Sequence, residues 1–196
     1  MRDILFVVHP YTYKQDSDGF VGISKTDKSS IRDRDIGLLV NQFLDREHKV
    51  VALFERSEFF ESAVFTFDDN YKFIFDDRLI REAIPPTGYP RPDNRPEGIN
   101  DEQWEQVKAF YASKEKFGDL LSNYRDVYFI GGILERCVAN FANYCRNHRT
   151  SSNELFYIPE LCVSTDENMR LEVENKLKKM NILPLNYGDT LERLVR

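Results

Sequence analysis

Short apolar runs alternating with helical segments constrain this chain more than any other feature. "ILFVV" (Ile4 to Val8) and "KVVALF" (Lys49 to Phe54) have almost no polar position, so a strand made from either must be covered on both faces. Between them, "DIGLLVNQFLDREH" (Asp35 to His48) places Ile36, Leu39, Val40 and Phe43 at helical spacing. "YFI" after Asp126, "ELFYI" (Glu154 to Ile158) and "NILPL" (Asn181 to Leu185) read as further strands, each followed by a helical segment. The helix after Cys162 opens with "STDE", in which Ser164 as N-cap and Glu167 form a capping box. The last helix starts near Asp189. Repeated strand–helix units of this length imply a three-layer α/β/α sandwich with a mostly parallel six-stranded sheet, Rossmann-like, with Val8 and Ile130 on adjacent strands.

The 196 residues suit one domain, 1–196, with a core large enough to need no staples. Its middle is less regular. "VFTFDDNYKFIF" (Val64 to Phe75) reads as a hairpin or an aromatic-faced strand. Five of the eight prolines then fall between Pro85 and Pro96, which marks a proline-rich insertion or lid around 76–100. A formal charge of −6 and the lack of a basic run argue against a nucleic-acid partner. No segment approaches membrane-spanning length, and the N-terminal apolar run is too short for a signal peptide. Cys137, Cys145 and Cys162 match no zinc spacing and read as reduced thiols, so a cytoplasmic location is expected.

Chemistry centres on "DVYFIGGILERCVANFANYC" (Asp126 to Cys145), where a strand runs into Gly131 and Gly132 and a thiol follows at the mouth of a helix. In an open parallel sheet, ligands bind beyond the carboxyl ends of the strands, where strand order reverses. His9 directly follows the first strand, so His9 and Cys137 are expected to share that crevice, whereas Asp3 lies at the opposite edge. A helix beginning near Glu135 would aim its N–H groups at the Cys137 thiol, favouring thiolate and offering an oxyanion site. The alternative is equally concrete. Cys137, Phe141 and Cys145 recur every fourth residue, the pattern of one buried helical face, and free cysteine is often buried.

"GGILERCV" and the helix after it resemble the nucleophile turn of the isochorismatase-like cysteine hydrolases. The order of strand, polar turn, helix, short strand and final helix from Glu154 to Arg196 is similar to that family's as well. The resemblance implies an aspartate as base, a lysine supporting developing charge, and a cysteine attacking a carbonyl or amide carbon. Cys137 matches the cysteine. The aspartate position reads His9, which is either a replacement base or a structural imidazole. Asp16 and Asp18 follow in the next loop. Lys108, in the helix-like "NDEQWEQVKAF", is the nearest lysine, with Lys72 as a further candidate. Glu55 and Arg56, at the exit of the second strand, together with Gly132 and Ile133 in the turn, would line the substrate rim; Arg91 and Arg95 could meet an anion from the proline-rich segment.

No metal and no cofactor are expected. "ERSEF" stands where metal-binding members carry Asp-x-His, and the only histidines are His9, His48 and His148. Gly-x-Ser-x-Gly, P-loop and Gly-x-Gly-x-x-Gly motifs are absent. Two functions stay open. The substitution at His9 and the displaced lysine favour a divergent, degenerate or non-catalytic binding or assembly module with a protein partner; the alternative is a cysteine hydrolase acting on a small amide or other carbonyl substrate through Cys137. A homo-oligomer, most simply a dimer, is expected in either case from the aromatic-rich middle and the proline-rich arm.

Overall fold

The computed structural model describes residues 2–8, 27–54, 77–78, 80–83, 101, 105, 121–149, 153–164 and 166–195. Six strands form one sheet: β1 (Arg2–Val8), β2 (Lys49–Phe54), β3 (Ile80–Ala83), β4 (Tyr124–Gly131), β5 (Glu154–Cys162) and β6 (Ile182–Pro184). The order is β3-β2-β1-β4-β5-β6, and every described pairing is parallel. Among the described residues, four helices are seen from end to end: α1 (Asp27–Asp45), α2 (Ala139–His148), α3 (Glu167–Lys179) and α4 (Tyr187–Leu194). The chain winds outward from β1 through β2 to β3, then returns to β1's other side for β4, β5 and β6. Strand order therefore reverses between β1 and β4, with Val7 opposite Ile130 and Val8 opposite Gly131.

β1 shows why the sheet is covered twice. Ile4, Phe6 and Val8 point into one core, with Phe129, Phe141, Cys145 and Leu177. Leu5 and Val7 point into the other, with Ile36, Leu39, Val40 and Phe43 of α1 and Leu194 of α4. Aromatic rings organise both layers. Phe6 meets Phe141 edge-on at 4.9 Å between centroids, and Tyr128 meets Phe43 edge-on at 5.4 Å. Such pairs add about 0.5–1.5 kcal/mol each beyond the area they bury.

Several boundaries differ from the sequence expectation. α1 begins eight residues before Asp35, because its first turns carry polar residues that show no apolar period. β3 lies inside the expected 76–100 insertion, where "IREA" is too short and too charged to stand out. α3 is capped by Asp166, whose side chain accepts from the Met169 N–H at 2.9 Å, and not by Ser164. α4 starts at Tyr187, with Asn186 accepting from the Asp189 N–H at 2.8 Å. The aromatic stretch Val64 to Phe75 and the prolines from Pro85 to Pro96 lie outside the described residues.

The amino edge of the sheet is closed by charge. Asp3 and Asp126 are buried there. Arg125 grips Asp3 with two bonds, Nη2 to Oδ2 at 2.8 Å and Nε to Oδ1 at 3.1 Å. Arg193 of α4 donates to Asp126 at 2.9 Å, also pairs with Glu154, and lies 4.6 Å above the Phe156 ring. This ties the final helix to the sheet. Removing either part-exposed arginine leaves a buried carboxylate uncompensated, which destabilises the fold. Beside it, the Asp3 N–H donates to His48 Nδ1 at 2.9 Å, which requires that nitrogen to be unprotonated.

Burial lowers the His48 pKa, with Arg125 and Arg46 assisting and Asp3 opposing. The folded state then binds this proton less readily than the unfolded chain. The contribution is present above the ordinary histidine value and is lost as pH falls through the lower folded value. Denaturant titrations should show wild-type stability falling from pH 7 to pH 5. His48→Gln, which keeps an acceptor for the Asp3 N–H without titrating, should show a shallower fall over the same range. Parallel pH curves for the two proteins would refute this coupling.

Candidate active site

The site is assembled from the carboxyl ends of β1, β4 and β5. Gly131 ends β4 with φ +110°, in the left-handed region, and a Cβ there would stand 2.0 Å from the Val8 carbonyl oxygen. Because that Cβ is missing, the Gly132 N–H reaches the same oxygen and donates to it at 2.9 Å. On the other side the Val163 N–H donates to Gly131 O at 2.8 Å, and the Leu134 N–H donates to Val163 O at 2.7 Å. Gly132 packs against Val163, where an added Cβ would lie 3.2 Å from the valine Cβ. The Gly132–Ile133 peptide is cis. β1, β4 and the segment after β5 are thus laced together through one turn.

That turn is wider than an α-turn. Residues Leu134–Val138 form a π-helical turn, and the Ile133 carbonyl accepts from both Arg136 N–H and Val138 N–H at 3.1 Å. Cys137 lies inside it, 8% exposed, and α2 proper begins only at Ala139. The expected helix start near Glu135 is therefore a π turn. Its Arg136 and Val138 amides are spent on Ile133, so these two N–H groups are not aimed at the thiol. The other two cysteines are buried as well. Cys145 is fully buried on α2, and burial pushes its thiol well above the ordinary value. Burial also pushes the Cys162 thiol, at the end of β5, up to about 12, with Arg170 and Arg32 pulling it back.

Three of the residues singled out from sequence, Gly132, Ile133 and Cys137, come together in this turn. His9, Glu55, Arg56 and Lys108 lie outside the described residues, as do Asp16, Asp18, Lys72, Arg91 and Arg95. Asp3 is at the amino edge, away from the turn, as its place at the start of β1 requires. Two features escaped the sequence reading. Ser164, just past β5, donates its hydroxyl proton to Glu135 Oε1 within the π turn. Arg32 of α1 donates through Nε at 2.9 Å and Nη2 at 2.5 Å to Oδ1 of the fully buried Asp33. Spacing gives no signal for either pair. Among the described residues, no group of three or more His, Cys, Asp or Glu side chains could hold a metal ion. No described helix is long and apolar enough to cross a membrane.

Gly131 is the position this geometry tolerates least. Gly131→Ala combines a backbone overlap with an unfavourable φ and should cost about 3 kcal/mol or more. Gly188→Ala is the contrast, since a Cβ on α4 would meet only Asn186 Oδ1 at 3.5 Å. It should be neutral or stabilise by up to about 1 kcal/mol. Denaturant midpoints of both variants check the pair, and an unperturbed Gly131→Ala protein would contradict the close approach.

No protein-family model and no curated protein matches this sequence. Solved structures do. An isochorismatase-like hydrolase from Alkaliphilus metalliredigens superposes with TM-score 0.61 at 10% identity, covering 98% of this chain and 99% of that one. The nicotinamidase of Staphylococcus aureus gives 0.60 at 14%, covering 93% and 98%. The MAR1 ribonuclease of Caenorhabditis elegans gives 0.63 at 10%, covering 99% and 81%. Identities this low speak to architecture and not to substrate. With its parallel sheet, its strand reversal between β1 and β4 and its Gly-Gly turn leading to a cysteine, the chain has the isochorismatase-like hydrolase fold.

Proposed function

We propose that this protein is a cysteine hydrolase of small amides or other carbonyl compounds, with Cys137 as its nucleophile. The observation that carries this reading is the placement of Cys137 in a wide turn at the point where strand order reverses. The thiolate sulfur attacks the carbonyl carbon, and the C–N bond of the resulting adduct breaks to leave a thioester. The departing nitrogen takes up a proton and leaves as amine or ammonia. Water then cleaves the thioester and regenerates the thiol. In this proposal His9 takes the thiol proton and returns it to the leaving group, and Lys108 supports the developing charge. Glu55, Arg56, Gly132 and Ile133 orient the substrate. Hydrolases of the same fold, a nicotinamidase among them, support the reaction class.

One observation favours a second reading. His9 stands where the resemblance places an aspartate, which favours a fold that serves binding or assembly without turnover. Under either reading we propose a homodimer in a cytoplasmic setting, and light scattering at micromolar concentration should return twice the chain mass; a monomer mass would overturn the dimer.

Thiol labelling separates the two functions. Burial pushes the Cys162 thiol up to about 12 and holds the Cys145 thiol well above its ordinary value, so both are held as thiol near neutral pH. Iodoacetamide should therefore alkylate Cys137 at least tenfold faster than either in the folded protein, as read by peptide mass spectrometry. His9→Ala should shift the pH midpoint of that labelling if the imidazole is the partner base. Equally slow labelling of all three would remove the hydrolase and leave the binding module.

A further inference from the structure

The bond between Ser164 and Glu135 joins residues 29 positions apart in sequence. Ser164 has the composition and position of a local helix cap, yet Asp166 caps α3. The Ser164 Oγ also lies 3.2 Å from the Asp166 carbonyl oxygen, but a hydroxyl has one proton, and the carboxylate is the stronger acceptor. A local preference has been given up for a contact to the turn that holds Cys137. Such departures from local consistency concentrate at functional sites.

The geometry gives the contact a specific task. The Leu134 N–H is anchored to Val163 O, so the start of the π turn is fixed to the segment after β5. Glu135, the next residue, is half-buried and anchored to Ser164, the residue after Val163. Two consecutive residues of the turn are thus held by two consecutive residues of that segment. Cys137 follows two positions later. π turns are rare, appear mainly as single-turn bulges, and recur at functional sites.

We propose that Glu135 and Ser164 are positioning residues for Cys137. Their carboxylate–hydroxyl clasp keeps the wide turn from retracting to α geometry and so fixes the depth and direction of the thiol. The inference rests on the hydrolase reading, since it assigns the clasp to a nucleophile. Neither residue touches the reacting atoms in this role. A misplacement of about 1 Å can cost on the order of 100-fold in rate, so a clasp need not be strong to matter.

The test is the rate of Cys137 alkylation by iodoacetamide against pH in the full-length protein, with Cys145 and Cys162 as internal reporters of unfolding. Ser164→Ala should lower the high-pH limiting rate of Cys137 about tenfold while Cys145 and Cys162 stay protected. Ser164→Thr, which keeps the hydroxyl, should restore it. Glu135→Ala should lower the rate at least as far as Ser164→Ala, and the double variant should lose no more than Glu135→Ala alone, because the clasp is already gone. Should Ser164→Ala expose all three thiols, Glu135→Gln decides: it keeps an oxygen for the hydroxyl and should keep the limiting rate within threefold. If wild-type Cys137 is no faster than the other two thiols, the hydrolase reading fails and the positioning role fails with it. If wild-type Cys137 is fast but Ser164→Ala stays within twofold, Thr does not restore the rate, the two losses add, or Glu135→Gln falls tenfold, the clasp alone is overturned.

Discussion

A missing side chain at residue 131 lets the centre of the sheet and the candidate site be one structure. The backbone of Gly131 passes so close to Val8 that a Cβ would lie 2.0 Å from its carbonyl oxygen. That oxygen is the last acceptor of β1 before the chain leaves the described residues, and it is satisfied by the N–H of Gly132. The same two glycines hand the chain to Val163, which exchanges backbone bonds with Gly131 and Leu134. Three parallel strands therefore end on a single turn. Cys137 inherits its place from that lacing more than from any contact of its own.

The two edges of the sheet have taken opposite roles. At the amino edge, two arginines bridge three carboxylates, Asp3, Asp126 and Glu154, and Tyr128 places its hydroxyl 3.5 Å from Asp126. Each charged group there is spent on another, and burial together with Asp3 and Asp126 raises the Tyr128 pKa far above its ordinary range. Such a cluster holds strands and α4 in register and offers no group for chemistry. At the carboxyl edge the described ties are mainly backbone bonds, supplemented by the Ser164–Glu135 and Arg32–Asp33 pairs. Backbone ties fix the geometry of the turn that holds the thiol.

How much of this was legible in the sequence follows from where each signal is written. β1, β2, β4 and β5 are apolar on both faces, so their burial and parallel pairing could be read directly, and so could the adjacency of β1 and β4. β3 could not, because Ile80–Ala83 is a four-residue edge strand with two charged members. The polar first turns of α1 lack the periodicity that marks Ile36 to Phe43. "STDE" contains three good capping residues, and local rules cannot tell that Asp166 caps while Ser164 is claimed by Glu135. The site was legible as Gly131, Gly132 and Cys137, and illegible wherever a partner came from a distant segment.

Cys137 and Cys145 show most sharply what sequence periodicity reads and what it passes over. Cys137, Phe141 and Cys145 are spaced by four, which reads as one continuous buried face of an α-helix. That reading assumes a single helical register from 137 to 145. The π turn breaks the assumption, because Leu134–Val138 takes a wider turn and regular α geometry starts at Ala139. Phe141 and Cys145 lie within the regular helix and are fully buried, while Cys137 lies before it and keeps 8% of its surface. All three still belong to one buried cluster, so the spacing reads burial correctly although the backbone changes register along it. What sets Cys137 apart is its place in the wide turn at the point where strand order reverses.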